Sequence, residues 1–348
     1  MAMPCHRMRI PWRVATLLLC GMLSCTGEDA GLPLVVQRDS AGVKIIEALR
    51  PLWDDSSPWS IDPDPIVDLT LSGSGPAHEF FRVRGVKQRA DGSLVLADRA
   101  SRQIRHYSRE GEFLGALGGP GQGPGEFRSL ERVETVADTV FALDSDGRVT
   151  VVGPEMTLIR TFDLPHHIIE FHSLGDGTFL AEYFMDPGPV EIVNRMVRPP
   201  VALVRFDREG IEIDSIAERP GREYYTFAFE DYSGSAPPLF GRHWVAATLG
   251  PRVFYGSSDL MQVEELDLAG NTARILRVPG HGLDLTDAEV AAERQGYLNF
   301  DLPPGVSLHP LIRRRIEALP SPVTRPAYAR ILMDPAGAMW LERYRGLE

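Results

Sequence analysis

An all-β chain built from a repeated four-stranded antiparallel unit, the plan of a β-propeller, is what this sequence predicts. Three observations carry that prediction. Glycine (33) and proline (28) are abundant in the 348 residues, which favours an architecture rich in turns. A phrase of three short alternating runs, SLVLAD, QIRHYS and EFLGALG between residues 90 and 118, reads as antiparallel strands separated by tight turns. The same phrase then recurs down the chain. Its anchor segments VLAD, FALD, FLAE, VFYG and MWLE begin at 95, 141, 179, 253 and 339, and the first two steps are 46 and 38 residues. Another strand candidate precedes each anchor: FFRVRGVKQ, FRSLERVET, HHIIEFHSL, FGRHWVAAT and RPAYARILMD. Four strands at a period near forty is the signature of propeller blades. A β-sandwich with regular strand spacing is the alternative, and the recurring D-x-x-G turn between later strands argues against it.

Taken in order, the chain opens on a leader. Arg7, Arg9 and Arg13 precede the apolar run VATLLLCGML, which is too short to span a bilayer and suits a signal peptide. MLSC follows, an apolar pair, a small residue and Cys25, in the pattern of a bacterial lipobox. Residues 1–24 are expected to be removed and Cys25 to carry diacylglycerol, with a single propeller domain over 25–348. The three cysteines, Cys5, Cys20 and Cys25, all lie in this region, so the body holds no disulfide and no cysteine chemistry. The net charge of −12 moves to −15 once the leader's three arginines are removed. Such a balance argues against nucleic acid as a partner.

Next comes GGPGQGPGEF, residues 118–127. It fits neither a dinucleotide loop nor a phosphate loop, because Pro124 stands where a third glycine is needed and a strand, not a helix, follows. It reads as a crossing from one blade to the next. Near the end, LTDAEVAAERQGYL and SLHPLIRRRIEAL break the strand pattern. They read as two helices inserted over 284–319, the first capped by Thr286 or Asp287 and the second by Ser307. Such a hairpin serves as packing, as edge cover, or as a lid over one face. The last unit stops after MWLERYRG without its outer strands. Either an N-terminal segment such as AGVKIIEAL closes the ring, or the last blade is incomplete through truncation.

The stretch GSLVLADRASRQIRHYSREGEFLGALGGPGQGPGEF resembles the NHL-type repeat. With the lipobox, QRDSAGVKIIE and PAYARILMDPAGAMWLERY, the chain is similar to the 6-bladed β-propeller lipoproteins of bacteria. The resemblance implies six four-stranded blades and a lipid anchor in the cell envelope; Thr26, and not an aspartate, follows Cys25, which in an organism with two membranes favours the outer one.

No strong catalytic motif is present. The opening residues of the inner strands include Arg82, Arg128, His166, His167, Arg242, His243 and Arg325. If equivalent, they surround one channel mouth and attract an anionic small ligand; the alternative is that each arginine pairs with a nearby acid. His167, Glu170 and His172 are weak metal candidates, for calcium or zinc, although His167 falls on the strand face opposite the other two. Asp98, Asp144 and Glu182 recur at one strand end and are expected to accept hydrogen bonds from turn backbone. Arg313, Arg314 and Arg315 read as a solvated helix face. The expected function is a binding scaffold without catalysis, engaging a ligand or an envelope protein. The alternative is a lactonase-like metal-dependent hydrolase or lyase at the channel.

Overall fold

A computed structural model describes residues 34–50, 62–165, 168–185, 194–299 and 308–346. The leader with Cys25, the histidines His166 and His167, and Ser307 lie outside them.

The chain enters through a hairpin, β1 (Val35–Ser40) and β2 (Val43–Ala48). Its two-residue turn has positive φ at Ala41 and Gly42, as a type I′ turn requires. Asp39 Oδ1 accepts the Gly42 N–H at 3.1 Å. The first sheet holds β3 (Val83–Gln88), β4 (Leu94–Asp98), β5 (Gln103–Tyr107) and β6 (Phe113–Gly118). The second holds β7 (Leu130–Val136), β8 (Thr139–Asp144), β9 (Arg148–Val152) and β10 (Leu158–Asp163). The third begins with β11 (Ile168–Ser173) and β12 (Phe179–Phe184). A short β13 (Met196–Val197) intervenes before it finishes with β14 (Pro200–Phe206) and β15 (Glu212–Pro220). All three sheets are antiparallel and ordered along the chain.

Strand β16 (Tyr224–Ala228) then pairs with β13 and with β17 (Ser233–Ala236) in a separate three-stranded sheet. The fourth sheet is β18 (Val245–Leu249), β19 (Arg252–Gly256), β20 (Gln262–Leu266) and β21 (Thr272–Arg277). Helices α1 (Asp287–Leu298) and α2 (Pro310–Ala318) precede the fifth, a pair formed by β22 (Arg330–Met333) and β23 (Met339–Glu342). Five sheets of this series are present among the described residues, where the resemblance implied six.

Alternation explains how the sheets stack. In β8, Val140 and Ala142 face a core shared with Val95, Ala97 and Ile104 of the first sheet. Phe141 and Leu143 face a core shared with Phe171, Phe179 and Phe206 of the third. Both faces are therefore apolar, and burial on two sides replaces the usual one-sided pattern. Trp244, Val253 and Tyr255 continue the series between third and fourth sheets, and Phe254, Tyr328 and Ile331 between fourth and fifth. In the last of these cores the Tyr328 ring needs the missing side chain of Gly256, since a Cβ there would collide with its hydroxyl. That hydroxyl donates to the Gln262 carbonyl at 2.6 Å. Gly256→Ala is expected to cost about 1–3 kcal/mol by overpacking, read as a lower urea midpoint at unchanged slope.

The glycine run does join sheets. Gly119 N–H donates to Arg102 O and Phe127 N–H to Gly119 O, both at 2.9 Å. The crossing thus folds back on the end of β6 and delivers Phe127, fully buried, into the first interface. Arg148 clamps the loop through the carbonyls of Gln122 (2.7 Å) and Glu126 (2.6 Å). The D-x-x-G turns are likewise one device. Asp207 Oδ1 accepts the N–H groups of Glu209 and Ile211, and Asp267 Oδ1 those of Ala269 and Asn271. Gly210 and Gly270 supply the positive φ.

Three expectations are sharpened. The N-terminal segment completes no fifth sheet; β2 lies parallel to β21, Lys44 opposite Arg274 and Glu47 opposite Arg277, and Arg277 bonds Glu47. Helix α1 has Thr286 as N-cap with a full capping box to Glu289, whereas α2 is capped by His309. Pro310 has no N–H and a preset φ, which makes it the first helical residue. The basic run is not simply solvated. Arg314 lies 3.9 Å over the Phe229 ring and Arg315 stands over Phe227 and Tyr232, so α2 is fastened to the three-stranded sheet. Together with Leu239, Phe240, Val290 and Leu319 they form a separate cap.

Candidate functional site

Strand β3 neighbours β7, β7 neighbours β11, β11 neighbours β18 and β18 neighbours β22. A cavity of about 480 Å³ is bordered by the leading strand of every one of these five sheets. It receives Arg84 from β3, Arg132 from β7, Glu170 and His172 from β11, and Arg330 from β22; His243 and Trp244 stand at the head of β18. Glu182 from β12 and Arg222, beyond β15, complete the polar wall.

The charges inside are unevenly matched. Arg132 forks onto Glu170, with Nε to Oε2 at 2.7 Å and a second bond from Nη2, and those hydrogen bonds hold the guanidinium above its ordinary pKa. Arg84 stands 3.6 Å from Glu131 and Arg330 3.4 Å from Glu342, both looser pairs. Arg222 has no hydrogen bond or ion pair among the described residues. His243 Nε2 meets the Ala329 carbonyl at 3.0 Å. Three of the four arginines and His172 are thus paired with acids, and Arg222 is the arginine of the wall left over among the described residues.

Glu182 is the buried hinge of this wall. It is wholly inaccessible, bonded to His172 Nε2 at 3.0 Å and to the Trp244 indole N–H. Burial alone would lower the His172 pKa. The hydrogen bond to Glu182 and the charges of Glu182, Glu134 and Glu170 outweigh it and raise the value. The folded value lies above the unfolded one of about 6.5. The pair's stabilisation is therefore complete below that pH and is lost as pH rises through the folded pKa. His106 behaves in the opposite sense. Burial, then neighbouring Arg89, lowers its pKa, so stability falls as pH drops from about 6.5 toward the folded value. Urea unfolding from pH 5 to 9 is expected to show both losses, the alkaline one missing in His172→Gln and the acid one in His106→Gln.

Of the opening residues of the inner strands, His243 lines the cavity. Arg128 pairs with Gln122 and Asp146, Arg242 with Glu223 and Asp259, and Arg325 with Glu289 at 2.5 Å. Arg82 is exposed and contributes its carbonyl to Arg99 N–H at 3.0 Å. The arginines at the cavity sit further along the strands because β3, β7 and β11 each carry a bulge at their start, between Val83 and Gly85, Leu130 and Arg132, and Ile168 and Glu170. A bulge turns the following side chains toward a new direction, and no residue type announces it.

The bulges also realign the acids. Gly85 faces Ala97, Arg132 faces Leu143 and Glu170 faces Glu182. Glu182 is therefore the counterpart of Ala97 and Leu143, one place before Asp98 and Asp144, and points to the other side of its sheet. Asp98 takes Ala100 N–H and Ser101 Oγ at 3.0 Å, and Asp144 takes Arg128 N–H and Ser129 N–H at 2.7 Å. These two aspartates hold turns, whereas the glutamate reaches the next sheet. Glu170 and His172 do share a face and both reach the cavity, each committed to another side chain. Among the described residues no three His, Cys, Asp or Glu side chains are grouped to hold a metal ion.

No protein-family profile matches the sequence, and no curated protein matches it. Solved structures do. An exported protein of Bacteroides fragilis, described as putative, is 16% identical over 60% of this chain, with a TM-score of 0.42; the match spans 54% of that protein's length. The WD40 β-propeller domain of Doa1 is 13% identical over 56% of this chain and 69% of its own, TM-score 0.33. The Cps50 (Swd1) β-propeller domain of Myceliophteria thermophila is 10% identical over 61% of each chain, TM-score 0.34. All three TM-scores lie below 0.5, so the description of the fold rests on the sheets themselves.

Proposed function

We propose that this chain is an envelope lipoprotein of the bacterial NHL-type β-propeller class, anchored through Cys25, whose axial cavity binds an anionic small ligand or an acidic segment of a partner protein without chemical conversion. The observation that carries the reading is the convergence of five leading strands on one cavity where Arg132 is paired with Glu170, Arg84 and Arg330 are only loosely paired, and Arg222 is unpaired among the described residues. A cationic recess on a chain of net charge −12 concentrates anions locally. Arg222 is the cation best placed to take a carboxylate, because no acid competes for it among the described residues.

Calorimetric titration at low salt with phosphate, succinate and citrate tests the site. Arg222→Ala is expected to weaken the best of these about tenfold, as loss of one charge-assisted contact does. Absence of heat with all three anions would remove the basis for the reading. Mass spectrometry of the mature N-terminus addresses the anchor separately: an acylated Cys25 supports it, and an unmodified cysteine or retained leader contradicts it.

A further inference from the structure

The axial cavity has an annex. A second pocket, of about 170 Å³, shares Arg222 and His243 with it and is otherwise bordered by Glu223, Pro237, Pro238, Gly241, Tyr297 and Tyr344. Its far wall belongs to the cap, since Tyr297 lies on α1 and Tyr344 touches the Phe240 ring at 6.0 Å between centroids. The one acid at the rim, Glu223, is already held by Arg242 through the backbone N–H at 2.8 Å and the guanidinium at 3.4 Å.

We infer that the annex and the axial cavity together bind an aromatic carboxylic acid, the carboxylate on Arg222 and the ring between the prolines and tyrosines. This inference rests on the anion-binding reading above and names the ligand class for it. Three observations favour that class. First, Arg222 is available, exposed and on a fixed stretch of backbone. Gly221 N–H bonds the Pro199 carbonyl at 3.0 Å and Glu223 N–H the Arg242 carbonyl at 2.9 Å, so the backbone on both sides is pinned while the guanidinium stays unpaired among the described residues. Second, the annex has the size of one six-membered ring, comparable with an apolar cavity of about 150 Å³ that holds benzene. Third, two proline rings and two phenol rings give flat faces on which an aromatic ring can stack. Burial pushes the Tyr344 hydroxyl up to about 12, so it faces the ligand neutral.

The test compares acetate, phenylacetate and glucuronate by calorimetry on the full chain. Phenylacetate is expected to bind at least about tenfold more tightly than acetate. Arg222→Ala should weaken both while preserving their ratio, and Tyr297→Ala should collapse the ratio and leave acetate unchanged. Pro238→Ala serves as a second annex variant. If both annex variants lose their thermal transition, an intermolecular NOE from the phenylacetate ring to Tyr297 in the unmodified protein decides. Equal affinity for acetate and phenylacetate, glucuronate binding as tightly as phenylacetate, or the absence of that NOE overturns the inference. Binding of citrate or phosphate without phenylacetate would leave the axial site standing and the annex assignment wrong. Failure of every anion would instead defeat the reading beneath it.

Discussion

Glu182→Ala is expected to lower the unfolding free energy by about 3–5 kcal/mol, because it removes one partner of a buried ionic contact and leaves the other unpaired. The carboxylate is wholly inaccessible and joins two sheets, with His172 on its own sheet and the Trp244 indole on the next. A second, independent signature accompanies the loss. Without the glutamate, its hydrogen bond and charge no longer oppose burial, and the His172 pKa should fall. Glu182→Gln keeps an acceptor for Trp244 and removes only the charge, so it should fall between the two. Urea unfolding at pH 6 together with NMR titration of His172 measures both effects. A loss under about 1 kcal/mol with an unmoved titration would show that the carboxylate contributes little.

Phe127→Ala should be comparably severe, at about 3–5 kcal/mol for a fully buried aromatic. The ring fills the interface between the first two sheets, beside Leu117 and Leu130, at the end of the crossing that connects them. The route of the crossing depends on Gly118, whose φ is +130° and whose Cβ would meet the Arg102 carbonyl and Gln103 Cα. Gly118→Ala therefore strains backbone against backbone, where no flexible side chain can yield. Phe127→Leu, by retaining most of the volume, should recover more than half of the loss. An alanine variant within about 1 kcal/mol of the parent would mean that this interface does not depend on the crossing.

Much of the strand framework was legible in the sequence because each anchor combines alternation with a turn that has its own chemistry. The crossing was readable for the same reason, since its glycines and prolines exclude helix and phosphate loop alike. The site was less so. Arg84 and Arg132 reach the cavity through bulges, and a bulge is a property of pairing between strands that leaves no local mark. The FLAE anchor aligns by eye with VLAD and FALD, yet the pairing of Glu170 with Glu182 shifts it by one, and one place in a strand is the opposite face. The cap was hidden more deeply. Its sheet joins a two-residue strand, Met196–Val197, to strands nearly thirty residues later, and neither length nor periodicity marks so short a partner.

The parallel pairing of β2 with β21 has a consequence in time. Glu47 and Arg277, which bond across it, are 230 residues apart. A hairpin made well before the fourth sheet must wait for it before its inner edge is covered. Sheets one to three join strands close in sequence and can assemble as they emerge, whereas this seam closes after a long search. Until then β2 presents an open edge, which makes the late interval the one in which a holding chaperone or a wrongly paired neighbour has most influence.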